Sequence, residues 1–240
     1  ELAIGVIADA AGAAPATLAA LRRLRGKLGR VDLVLSLGGM GATAAELEAV
    51  FAALAEGASG PLVAVPGDLE PVGAQGEAVA AARRRGAAVF DGRLVQRIEL
   101  AGATIAVVPG AGAASRLVAG AEGCRYLPAD VAAAFADLAP RPGLRIAASA
   151  EPPRSDGDAP TGELALTAGA GDVIDIALHG ATGVGATAAR GGRRDGAAAA
   201  LTPGSSDATP RLPGPHRAAT AGVLTVRGAT WTWRPIDDAD

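Results

Sequence analysis

The sequence predicts an α/β domain, largely parallel in its first half and turning to hairpins afterwards. Three observations predict it. Short, almost wholly apolar runs alternate with amphipathic stretches over residues 2–85. Most of the apolar runs end in a turn bearing Gly or Asp. Later segments instead pair off around short turns. Half of the 240 residues are hydrophobic, which is ample for a buried core, and no long linker or internal repeat divides the chain. A single domain spanning 1–240 is expected.

Residues 2–9, LAIGVIAD, read as a strand buried on both faces. From Ala16 to Leu28, leucines at 18, 21, 24 and 28 recur at helical spacing between arginines, and Gly29 can stop that helix. VDLVLSLGG (31–39) is the second strand, so the unit is β-α-β with a parallel pair. A helix over 43–56 carries Thr43 as N-cap and Glu46 as the partner of a capping box. PLVAVPGD (61–68) is the third strand, followed by a helix over 75–85 ending in three arginines and a short strand in AAVFDG. RLVQRIELAGATIAVVPG reads as a hairpin about Ala101 and Gly102. A helix over 129–138 then leads to the strand LRIAASAEPP, closed by Pro152 and Pro153. Residues 153–162 read as a polar loop, 163–170 as a short helix, 172–180 as a buried strand and 180–196 as a long glycine-rich loop. AAALTPGSS, AGVLTVRG and ATWTWRPI are three closing strands, the last two a hairpin about Gly228 and Ala229.

Composition narrows the function classes. Aromatic residues make up 2% of the chain, so Ala, Val, Leu and Ile must build the core, with 34 glycines allowing elements to approach closely. A net charge of −3 leaves no general footprint for nucleic acid or an anionic membrane, and no apolar run approaches the ~20 residues of a transmembrane helix. Lys27 is the only lysine and asparagine is absent, a bias that codon composition explains before function does. The lone Cys124 excludes an internal disulfide and a Cys-rich metal site, and reads as a small apolar residue rather than a nucleophile. The expected compartment is cytoplasmic by default, with export or lipid anchoring instead if a leader is removed before Glu1.

The strand ends carry the most specific signal. IGVIADAAG, VDLVLSLGGMG, PLVAVPGDLE, IAASAEPP, DIALHGATG and ALTPGSS resemble, in order and spacing over roughly residues 2–235, the signature loops and terminal turn of calcineurin-like metallophosphoesterases. The resemblance implies an α/β/β/α sandwich of two mixed sheets flanked by helices. It also implies two metal ions held by Asp-x-His, Gly-Asp, Gly-Asn-His-Asp/Glu, a further His and Gly-His-x-His. Transferred residue by residue, Asp9 matches the first aspartate, while Ala11 replaces its histidine partner and Gly39 the bridging aspartate. Asp68 replaces the asparagine ligand, Leu69 the histidine general acid, and Glu70 keeps the acidic residue that orients it. Ala150, Ala181 and Gly183 replace the remaining histidines.

A bimetallic hydrolase needs enough imidazole and carboxylate ligands to fill two coordination spheres around a bridging hydroxide. Only His179 and His216 exist in the whole chain, and neither falls on a ligand position. His179 lies two residues before one, on the same strand face but ~6.6 Å deeper, where a buried structural histidine is the simpler reading. Asp9, Asp68 and Glu70 offer the one alternative, an oxygen-only site for a hard cation, although carboxyls at strand ends also cap helices or pair with arginines. No cofactor is expected.

Other look-alikes are weaker. GVGATAARGG (183–192) lacks the third glycine and the following helix of a dinucleotide loop, and Ser205 and Ser206 lie in no nucleophile elbow. Arginines 83–85 and 193–194 read as solvated helix-end and loop charges, and Trp231 with Trp233 as core packing or edge cover before a partner surface. The resulting expectation is an inactive metallophosphoesterase-like protein that acts as a structural or interaction subunit bound to another protein or larger complex. Alternatives are a phosphoester hydrolase with a reduced carboxylate site, or a domain binding a nucleotide without metal through strand-end amides and arginines.

Overall fold

The computed structural model describes residues 1–112, 117–151, 173–180, 189–192, 199–201 and 220–236. The opening apolar run forms β1 (Leu2–Ala8), and the leucine-spaced stretch forms α1 (Pro15–Leu28), which ends at Gly29 with φ 70°. Next come β2 (Leu33–Leu37) and α2 (Ala44–Ala55). The capping box is formed as read: Glu46 N–H donates to Thr43 Oγ1 at 3.2 Å, and Thr43 N–H donates to Glu46 Oε2 at 3.1 Å. Strand β3 (Leu62–Val65), helix α3 (Val72–Arg84) and strand β4 (Val89–Asp91) complete the βα units. Helix α3 starts three residues earlier than its periodicity indicates, since Pro71 sits at the N-cap with φ −67° and leads straight into the first turn.

The hairpin about Ala101 and Gly102 is β5 (Arg97–Leu100) with β6 (Ala103–Val108), and Gly102 takes φ 87° at the turn. Helix α4 (Pro128–Leu138) precedes β7 (Leu144–Ser149) and β8 (Ile176–His179). Strands β9 (Ala189–Gly192), β10 (Ala199–Leu201), β11 (Thr220–Arg227) and β12 (Thr230–Ile236) follow. One reading is corrected here. The glycine-rich stretch 180–196, expected as loop or turns, contains β9, which pairs antiparallel with β12 from Thr230↔Gly192 to Trp233↔Ala189. Its glycines weaken any local strand signal, and an open row of β12 backbone groups supplies the partner. The short helix expected at 163–170, His216, Ser205, Ser206 and the arginine pair at 193–194 lie outside the described residues.

Two mixed sheets result, one of seven strands in the order β4-β3-β2-β1-β11-β12-β9 and one of five in the order β10-β8-β7-β6-β5. Alternation along each strand sorts the core into three layers. Val34, Leu62, Ala64 and Ile7 face Leu21, Leu24, Leu47 and Phe51 under α1 and α2. Ile4, Val6, Leu35 and Val65 meet Ile105, Val107, Ile146 and Leu178 between the sheets. Ala106, Val108 and Ala147 face Val131, Phe135 and Leu138 of α4. The order is thus helices, sheet, sheet, helix, the two mixed sheets flanked by helices that the resemblance implies.

Trp231 and Trp233 lie in the middle layer at 5% and 2% exposure, so the core reading of this pair holds. A Cβ at Gly222 would come within 2.4 Å of the Trp233 indole, so only glycine leaves room for the ring there. Arginines 83–85 are exposed at the end of α3, where Arg85 pairs with Glu48, as expected of helix-end charges. Among the described residues, no helix is long and apolar enough to cross a membrane.

Candidate functional site at the carboxyl ends of the strands

The loops after β1, β2, β3 and β7 meet at one end of the two sheets. Beyond the strands, the first two run side by side: Asp9 N–H donates to Gly38 O at 3.1 Å, Ala11 N–H to Gly39 O at 2.7 Å, and Gly12 N–H to Met40 O at 3.0 Å. This extra pairing needs unusual backbone on both loops. Asp9 and Ala11 have φ 57° and 55°, and Gly38 and Gly39 have φ 72° and 69°. The third loop joins through Gly38 N–H donating to Val65 O at 2.9 Å, and Gly110 N–H donating to Pro66 O at 2.7 Å draws in the turn after β6.

Contact between these loops is tight. A Cβ at Gly39 would lie 2.3 Å from Asp9 Oδ1 and 3.0 Å from Asp9 Cα. Cβ atoms at Gly38 and Gly67 would lie 2.6 and 2.9 Å from the Ala150 methyl. Ala150 therefore seats against two glycines from the other sheet.

Glu70 is the pin of this arrangement. It is 1% exposed; Oε1 accepts from Met40 N–H at 2.5 Å and Oε2 from Gly67 N–H at 2.8 Å. One carboxyl thus ties the β2 loop to the β3 loop. Burial pushes its pKa above the ordinary carboxylate value, against the pull of the two amides. Asp68 and Leu69 are half-buried beside it, and the Asp68 carbonyl accepts from Val118 N–H at 2.8 Å.

A second buried carboxyl escaped the sequence reading. Glu151, 4% exposed, follows Ala150; its Oε2 accepts from Tyr126 O–H at 2.5 Å and from Gly112 N–H at 3.1 Å. An acidic residue between the end of an apolar strand and Pro152 was the available signal. It belongs to the same loop cluster, tying β7 to the segment before α4.

His179 ends β8, in register with Ser149. Ile176 and Leu178 point between the sheets, so His179 faces the other way. It is 3% exposed and burial lowers its pKa from 6.5 to about 4, so it is a neutral imidazole near pH 7. Cys124 is half-buried with its thiol pKa pushed up, mainly by burial, which disfavours a reactive thiolate. Among the described residues, no group of three or more His, Cys, Asp or Glu side chains is placed to hold a metal ion. Positions 181 and 183 lie outside the described residues.

No family model matches the sequence, and no curated protein matches it. Similarity is found among solved structures. TT1561 of Thermus thermophilus aligns with a TM-score of 0.60 at 19% identity, over 85% of this chain and 89% of that one. Purple acid phosphatase PPD1 from yellow lupin (Lupinus luteus) seeds aligns with a TM-score of 0.57 at 11% identity, over 100% of this chain and 52% of that one. The chain spans about half the length of the lupin enzyme. At these identities the likeness is one of fold, and the fold is metallophosphoesterase-like: two mixed sheets flanked by helices, with the loops described above at the carboxyl ends of the strands.

Proposed function

We propose that this protein is a catalytically inactive metallophosphoesterase-like protein that serves as a structural or interaction subunit. The observation that carries the reading is at Gly39. Resemblance places a metal-bridging carboxylate at this position, yet a side chain here would run into Asp9, and the backbone lies in the left-handed region. Ala11 and Ala150, at two other ligand positions, and Leu69, at the general-acid position, carry no side-chain donor atom. This donor set does not fit a pair of metal ions.

The carboxyls that remain support the same reading. Glu70 spends both oxygens on backbone amides and holds two loops together, a role that needs no metal. Asp9, Asp68 and Glu70 are not gathered as a three-carboxyl cation site among the described residues. An interaction role draws support from apolar side chains left exposed near the cluster. Val72 and Val118 are 40% and 64% exposed, on segments joined by the Pro71–Gly123 bridge and the Val118 N–H to Asp68 O bond.

The test is elemental analysis of protein purified without chelator, paired with hydrolysis of bis-p-nitrophenyl phosphate in added Mn²⁺. The proposal expects less than about a tenth of an equivalent of metal and no turnover above buffer. Stoichiometric metal with turnover would replace it by the hydrolase with a reduced carboxylate site.

A further inference from the structure

A cavity of about 590 Å³ lies between α4 and the segment that leads into β5, with the end of β6 also lining it. Its helical wall is Asp130, Ala133, Ala134 and Asp137, and their spacing of three, one and three residues makes one stripe along α4. That stripe runs beside the face of Val131, Phe135 and Leu138 that packs on the sheet. Arg93, Gln96 and Arg97 line the cavity from the other segment, and Gln96 O accepts from Val107 N–H at 3.0 Å, which fixes that segment to β6. Arg97 Nη1 donates to Asp137 Oδ2 at 2.5 Å and joins the two sides.

The acids of this lining already have partners. Asp137 also accepts from Arg141 Nη2 at 3.0 Å. Asp130 Oδ2 accepts from Leu127 N–H at 2.7 Å at the start of α4. The Tyr126 hydroxyl, a further polar group here, donates to Glu151. What the fold leaves unmatched is cationic.

Arg93 spends Nε and Nη2 on the Asp91 carboxylate, with Nε at 2.9 and 3.0 Å from its oxygens, and its Nη1 makes no hydrogen bond among the described residues. The side chains of this pair are 18% and 7% exposed, so the guanidinium is held in one place with an edge to spare. Arg125 is exposed and has neither hydrogen bond nor ion pair among the described residues. Its backbone is nonetheless fixed beside the turn after β6, since Ala111 N–H donates to Cys124 O at 3.0 Å and Tyr126 N–H to Ala111 O at 3.2 Å. The two arginines converge: burial raises the Cys124 thiol pKa, and Arg93 is near enough to that residue, next to Arg125, to oppose the rise.

We propose that this cavity binds a small organic oxyanion, its carboxylate or phosphoryl group held by Arg93 Nη1 and Arg125 and its apolar body lying along Ala133, Ala134 and Pro109. Guanidinium is weakly hydrated and matches such oxygens geometrically. The volume is that of a small-molecule pocket, much larger than a bare phosphate needs, and alanine and proline walls leave room for an apolar body. None of the residues at the former metal-ligand positions takes part.

Calorimetric titration at low ionic strength tests it with 2-naphthoate, 1-naphthylphosphonate and the uncharged 2-naphthalenemethanol. None of these can be hydrolysed, so the result does not depend on whether the loop cluster is catalytic. Wild type should bind at least one of the two anions saturably at one site, and the alcohol at least about tenfold more weakly. Arg125→Gln should lose about 10- to 100-fold in affinity for that anion. Ala133→Trp, which fills the cavity from an exposed helix position, should abolish binding. Arg84→Gln removes an exposed positive charge from the end of α3 and should change affinity by less than about threefold. Circular dichroism establishes that each variant is folded, and Arg125→Gln carries the test if Ala133→Trp is not. Absence of saturable wild-type binding to both anions overturns the proposal; so does equal affinity for the alcohol, or an Arg125→Gln loss no greater than that of Arg84→Gln.

Discussion

Placing a side chain at Gly39 is the sharpest probe of the loop cluster. The residue has φ 69°, where a non-glycine residue costs roughly 1–2 kcal/mol. Its Cβ would also stand 2.3 Å from Asp9 Oδ1 and 3.0 Å from Asp9 Cα. The carboxylate oxygen can rotate away, whereas the Cα moves only with the backbone, which Asp9 N–H anchors on Gly38 O at 3.1 Å. Forcing extra atoms into such a contact costs a further ~1–3 kcal/mol. Gly39→Ala should therefore destabilise the protein by about 2–5 kcal/mol, measured by urea denaturation. Gly39→Asp tolerates the left-handed backbone better but sets a second carboxylate against Asp9, so it should lie in the same range. Because the side chain cannot enter without displacing Asp9, Gly39→Asp should not gain Mn²⁺ binding in a calorimetric titration. Either variant within about 0.5 kcal/mol of wild type, or stoichiometric Mn²⁺ binding by Gly39→Asp, would refute the packing argument.

Ala11 is the converse case: it has φ 55° with a Cβ, so Ala11→Gly should raise stability by about 0.5–1 kcal/mol, the relief of strain exceeding the added freedom of the unfolded chain; a loss in the same denaturation experiment would contradict the loop geometry. Glu70→Ala leaves the Met40 and Gly67 amides without their acceptor and should cost about 2–5 kcal/mol, read from the urea midpoint, while the wild-type value would argue that the pin is dispensable. His179 binds its proton at about 4 when folded and 6.5 when unfolded, so the unfolded state holds more protons between these values. Wild-type stability should rise by roughly 3 kcal/mol from pH 4 to 6.5 on this account and fall again on acidification. His179→Gln should lose that slope, and an unchanged pH profile would exclude the buried neutral imidazole.

Much of the fold is written in local pattern. Leucine spacing marked α1, Thr43 with Glu46 marked the start of α2, and apolar runs marked β1, β2, β3, β7 and β8, because burial on one helical face or both strand faces selects those periods. Strand β9 had no such signature: its backbone pairs with β12 without an apolar pattern of its own, and that pairing exists only once β12 is in place. The candidate site divides the same way. Ala11, Gly39, Leu69 and Ala150 are legible in the chain as residues without donor atoms, since chemistry of that kind is a property of residue type. That Gly39 has no room, that Glu70 bridges two loops, and that Glu151 bonds Tyr126 were decided by tertiary structure alone. Each depends on the distance between segments remote in sequence, and no local pattern encodes those distances.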